Sequence, residues 1–165
     1  MFQFLVSRPV RVALVAVAAL LALTLVSSGA LAASSCKAVS GKFTLQAVND
    51  PSCISPVGLC ATGAYQGTIK ATSSFVGSAF IASADTPTTS VVFATGDNTI
   101  HTDRGDIYTK DAITLRTTGE GAFTEVDTVV GGTGEYAVAS GVLTATGTFL
   151  NGSGDGVYTG QVCSQ

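Results

Sequence analysis

From residue 39 onward, apolar and polar positions alternate with a period of two. No window carries apolar residues at i, i+3, i+4 and i+7 without a β-branched or glycine interruption. The alternation predicts strands over 39–48, 60–71, 74–83, 90–95, 99–102, 106–116, 121–130, 136–149 and 156–163. Between them, Asn49-Asp-Pro51, Gly96-Asp-Asn98, Asp103-Arg-Gly105, Thr118-Gly-Glu-Gly121 and Asn151-Gly-Ser-Gly-Asp-Gly156 supply residues that pre-set turns or tolerate positive φ. Links this short favour antiparallel neighbours and leave no room for helical crossovers.

Eight or nine antiparallel strands must form two sheets or close on themselves, and closure removes unpaired edges. Gly41, Gly63, Gly67, Gly77, Gly141 and Gly147 lie inside strand patterns, where glycine marks bends that curl a sheet. The fold class expected is therefore all-β, a closed antiparallel barrel of about eight strands. Ser40-Gly-Lys-Phe43, Thr62-Gly-Ala-Tyr65 and Thr146-Gly-Thr-Phe149 each place an aromatic two residues after a glycine, on the same strand face. This is repetition of fold, not of functional sites. In 136–149 one face carries Ala137, Ala139, Gly141, Leu143, Ala145, Gly147 and Phe149, small enough for close packing or an open lumen.

Residues 1–32 break the pattern. Arg8 and Arg11 precede an uncharged apolar run over 12–26, and Ala30-Leu31-Ala32 forms an A-x-A element, so a secretory signal cleaved after Ala32 is expected. A retained anchor and a lipoprotein on Cys36 are the alternatives. Residues 33–165 then form a single domain without a membrane span, secreted or periplasmic. The full chain has a formal charge of −3, and loss of Arg8 and Arg11 leaves six basic against eleven acidic residues, a net −5. An acidic chain without a basic cluster is not expected to bind nucleic acid.

Export places Cys36, Cys53, Cys60 and Cys163 where disulfides persist. The favoured pairing is Cys36–Cys163, tying the domain ends, with Cys53–Cys60 closing a short loop; Cys36–Cys53 with Cys60–Cys163 is the alternative. A zinc site is disfavoured, since no C-x-x-C pair or nearby histidine is present.

Other motifs carry little chemistry. Gly132-Thr-Gly134-Glu-Tyr-Ala137 matches the dinucleotide fingerprint, which requires a following helix, whereas alternation follows here. Arg104-Gly105-Asp106 reads as a solvated turn, and His101 as a surface histidine, because His101, Asp103, Asp106 and Asp111 lack calcium-loop spacing. With one histidine and no G-x-S-x-G elbow, a serine hydrolase has no support. No cofactor or metal site is expected. Glu125 and Asp127 share a strand face with Phe123 and Val129. Facing water, the preferred reading, they are solubilising charges. Facing a lumen, they would raise each other's pKa and suit acid–base chemistry.

Gly131-Gly132-Thr-Gly134-Glu-Tyr136-Ala-Val-Ala139-Ser-Gly141 resembles the G-G-T-G-x-[FY]-x-x-A-x-G signature of dirigent proteins and the allene oxide cyclase family. The strand over 123–130 and the closing strand over 156–163 resemble theirs as well. The resemblance implies a lipocalin-like eight-stranded barrel, commonly trimeric, that acts on or steers a small apolar molecule. The matched positions are structural, so no catalytic residue carries over. The expectation is an exported barrel binding a small hydrophobic ligand in its lumen. The alternatives are a filled, non-catalytic interaction module and a cyclase or isomerase, with Glu125 and Asp127 the weak catalytic candidates.

Overall fold

The computed structural model describes residues 35–49, 51–82 and 90–164. The expected signal segment lies outside them. The strands are β1 (Ser35–Ala47), β2 (Cys60–Gly67), β3 (Ala71–Ala82), β4 (Val91–Thr102), β5 (Gly105–Arg116), β6 (Ala122–Gly132), β7 (Ser140–Leu150) and β8 (Ser153–Ser164). They form a closed barrel in sequence order, every neighbouring pair antiparallel, with β1 pairing β8 to complete the ring. Among the described residues no helix is long and apolar enough to cross a membrane.

The period of two sets inside and outside. On β6, buried Phe123, Glu125, Asp127 and Val129 alternate with exposed Thr124, Val126, Thr128 and Val130. On β7, Leu143 and Ala145 are buried while Ser140, Val142, Thr144 and Thr146 face outward, so the small-residue face is the interior one. Small size matters there. A Cβ on Gly41 would collide with the carbonyl oxygen of Gln66 and lie 2.8 Å from the Tyr158 hydroxyl. The Tyr158 hydroxyl in turn accepts a 2.9 Å hydrogen bond from the Ile69 amide.

Several boundaries differ from the sequence reading: the first strand begins at Ser35, and the strand expected over 60–71 ends at Gly67, with the next starting at Ala71. Gly96-Asp-Asn98 is not a turn but the middle of one continuous strand, β4. Gly96 faces inward against the Phe75 ring, which a side chain would displace, and Asn98 is buried. The expected strand over 136–149 begins only at Ser140, because Gly134–Tyr136 form a single 3-10 turn that buries Tyr136. The loop expected over 151–156 shortens to Asn151-Gly152, both at positive φ (54° and 82°), as a tight hairpin demands.

Both favoured cysteine pairs are disulfides. Cys36 and Cys163 face each other in the β1–β8 register with Cα atoms 3.9 Å apart. Cys53–Cys60 joins the β1–β2 loop to the start of β2.

The interior is filled unevenly. Toward the β6–β7 link, Val39, Ile69, Ile100, Ile107, Tyr136 and Val162 belong to the packed core. At mid-barrel an aromatic group crosses the lumen, with ring centroids 6.0 Å apart for Phe43–Tyr65, 5.9 Å for Phe43–Phe123 and 5.2 Å for Tyr65–Tyr158. Beyond it, toward the β1–β2 loop, space remains.

Candidate functional site

That space is a cavity of about 100 Å³; at the other end of the barrel a larger, more polar one of about 340 Å³ opens among Lys37, Lys70, Arg104 and Glu135. Its walls include Phe43, Phe75, Val92, Ala94, Phe123 and Phe149, and its polar groups are Tyr65, Ser73, Asn98 and Glu125. The three glycine-x-aromatic repeats thus converge, since Phe43, Tyr65 and Phe149 all line it. At the lip, a β-bulge between Gly77 and Ala79 interrupts the β3–β4 register, and Phe80 beyond it stands half exposed over the opening.

One wall is acidic. Asp111 on β5 pairs with Asp127 on β6, and Ile113 with Glu125 one inward step along. All three carboxyl groups point into the barrel, at 3 % exposure for Asp111, 9 % for Glu125 and 1 % for Asp127. Their oxygens can come within 4.8 Å of one another. The preferred sequence reading of Glu125 and Asp127 as water-facing charges is therefore corrected. Both faces of β6 mix apolar and polar residues, so polarity does not reveal which is inside.

Among the described residues no salt bridge reaches these carboxyls. Lys110, the cation nearest along β5, points outward and pairs with Asp97. Burial, followed by the neighbouring charges of Asp127 and Asp111, holds Glu125 well above the usual carboxylate range. Burial and Asp111 push Asp127 up to about 8. Burial raises Asp111 to about 6, opposed by hydrogen bonds from Thr109 and Glu125. The Thr109 hydroxyl donates to Asp111 Oδ1 at 2.5 Å. Glu125 is hydrogen-bonded to both aspartates. Tyr65, raised well above 10.0 by burial and then by the three acids, remains a phenol and contacts Asn98.

The division of labour follows from position. Glu125 reaches the cavity, whereas Asp111 and Asp127 do not line it and act on Glu125 from behind. Sequence reasoning passed over Asp111, Thr109, Asn98 and Tyr65 as members of this site. Alternation along β5 offered a signal for the first two, because Ile107, Thr109, Asp111, Ile113 and Leu115 share one face.

The other singled-out residues lie elsewhere. Asp103 and Arg104 form the β4–β5 turn, at the opposite end from the cavity mouth. Arg104 bonds Glu135 at 3.2 Å and the Tyr136 hydroxyl at 3.0 Å. His101 is exposed, 2.9 Å from Asp106, and is not brought to Asp111. The glycine motif shapes this end. Gly131 and Gly134 have positive φ, and the Arg104 carbonyl accepts from the Glu135 amide, so the 3-10 turn packs on the β4–β5 hairpin. Ala139 is buried, and Gly141, at φ 147°, passes so close to Gln161 that no side chain fits. These positions hold the barrel end together, away from the acids.

No family model, curated protein or solved structure matches this chain.

Proposed function

We propose that this barrel binds a small, uncharged and mostly apolar molecule in its lumen, with Glu125 as the polar anchor. One observation carries the reading: an apolar cavity, walled by phenylalanines, into which the buried carboxyl of Glu125 projects, its pKa raised by burial and by the neighbouring aspartates. A carboxylic acid kept protonated donates a hydrogen bond where a carboxylate could only accept one. At about 100 Å³ the cavity is smaller than a drug-sized pocket of a few hundred Å³. It is on the scale of engineered apolar cavities of roughly 150 Å³ that accept a single aromatic ring. The ligand class is therefore a one-ring or short-chain compound bearing one hydrogen-bond acceptor, such as a phenol or a small ketone.

The resemblance of the Gly131–Gly141 motif to dirigent proteins and allene oxide cyclases supports this reading, because those barrels receive small apolar molecules. Two disulfides support export to an oxidising compartment. A second reading has its own observation. Glu125 faces the cavity with Asp127 hydrogen-bonded behind it, so a bound substrate would meet one carboxyl able to exchange its proton with a second, an arrangement suited to the acid–base steps of an isomerase or cyclase.

Native mass spectrometry of the protein from its source tests the binding. The expected result is one small molecule per chain, absent from the Ala94→Phe variant, in which a ring fills the cavity. The same spectrum reads the oligomeric state. A bare chain, together with no thermal shift on adding phenol or toluene, rejects the proposal. An isomerase requires in addition that Glu125→Gln abolish turnover of the identified compound.

A further inference from the structure

We propose that the lumen contains a second, polar site in which Asp111, Glu125, Asp127 and the amide oxygen of Asn98 hold one hard divalent cation of the calcium class. The first observation is the carboxyl cluster itself, whose ligand oxygens lie within 4.8 Å of one another. With metal–oxygen distances of about 2.3–2.6 Å, oxygens on opposite sides of a calcium ion are about that far apart.

The second observation is what these groups lack. Among the described residues the individual oxygens Asn98 Oδ1, Asp111 Oδ2 and Asp127 Oδ1 are buried with no hydrogen-bond partner, although the Asn98 side chain also bonds Tyr65 and Glu125 bonds both aspartates through other atoms. Asn98 is only 8 % exposed and belongs to the same lumen wall as Glu125. It pairs across the β4–β5 ladder with Thr109, whose hydroxyl is on Asp111. All three are oxygens, and the two carboxyl oxygens accept once ionised. What would satisfy them together is a positive charge, and buried oxygens without a partner are costly to leave so.

The donor set selects the ion. Every candidate ligand is oxygen, the four cysteines are locked in disulfides, and the single histidine is exposed beside Asp106. Zinc and copper favour nitrogen and sulfur, whereas calcium favours carboxylate and amide oxygens. A dication offsets two of the three carboxylate charges, which favours their burial. The site shares Glu125 and Asn98 with the apolar cavity, and the terbium test reads it whether or not a small molecule fills that cavity.

Terbium luminescence on the full chain with both disulfides intact tests it, because Tb³⁺ occupies calcium-type oxygen sites and is excited through a nearby tyrosine. Tyr65 is within electrostatic reach of all three acids. At neutral pH the expected result is emission saturating at one Tb³⁺ per chain and displaced by Ca²⁺. Asp111→Asn and Asp127→Asn each weaken binding about tenfold or more, since affinity follows ligand charge. Tyr65→Phe dims the emission yet leaves Ca²⁺ competition intact, and the exposed Asp155→Asn changes nothing. Should the buried aspartate variants fail to fold, Asn98→Asp decides by binding at least as tightly as the parent. The proposal is overturned by the absence of saturable emission from the unaltered protein. It is also overturned by emission that survives both aspartate changes, or that Asp155→Asn removes.

Discussion

Asp111 and Asp127 face each other directly across the β5–β6 ladder, both inside the barrel. Their folded pKa values, about 6 and about 8, stand above that of an unfolded aspartate. The folded chain therefore keeps protons that the unfolded chain has released. Their favourable contribution is complete below about pH 4 and is lost as pH rises through 6 and then 8. In the presence of a chelator, thermal unfolding is expected to shift to lower temperature between about pH 5 and 9. Asp127→Asn, which keeps the shape without the ionisation, is expected to flatten the upper part of that profile. It should also raise stability at pH 8 by on the order of a few kcal/mol. An unchanged profile in the variant would show that Asp127 does not carry the titration.

The two disulfides should differ in weight. They span sequence separations of 127 and 7 residues, and in the chain-entropy model cross-links of those lengths contribute about 5 and about 2.5 kcal/mol. Replacing Cys36 and Cys163 together by serine is expected to lower the denaturation midpoint more than replacing Cys53 and Cys60. Equal losses in a chemical denaturation series would contradict that order.

Tyr158 and Gly41 form one joint. Tyr158→Phe strands the buried Ile69 amide, which now donates to the hydroxyl at 2.9 Å, and is expected to cost about 1–3 kcal/mol. Gly41→Ala forces its methyl against Gln66 and Tyr158 and is expected to cost at least about 2 kcal/mol. Urea unfolding measures both, and a double variant should lose less than the sum because the two share a contact.

Much of the barrel was legible because its signals are local. Turn residues and the period of two located the hairpins, and the spacing of Cys36, Cys53, Cys60 and Cys163 favoured the observed pairing. The errors arose where tertiary contacts overrode local chemistry. Gly96 and Asn98 look like a turn, yet the Phe75 ring requires a glycine opposite it and the lumen takes up the amide. Tyr136 looks like the start of a strand, yet a 3-10 turn buries it. The acidic site was only half visible. Glu125 and Asp127 are two residues apart, but Asp111 joins them through the β5–β6 register, which a sequence does not display. The outer wall also carries Val126, Val130, Val142 and Val157, so hydrophobicity did not separate inside from outside.

Gly96 also links fold to binding. Gly96→Ala pushes against the Phe75 ring, which lines the cavity. This change is expected to weaken binding of a one-ring ligand more than it lowers stability. Calorimetric titration with phenol beside a melting curve separates the two effects.

The most direct test of a ligand-binding lumen is methyl NMR during titration with phenol. Saturable shifts are expected at the cavity methyls of Val92, Ala94, Ile113 and Leu115. None is expected at the outward-facing Val126, Val142 and Val157. Shifts confined to the outer valines, or cavity methyls unmoved at saturating phenol, would contradict a lumen that binds small apolar molecules.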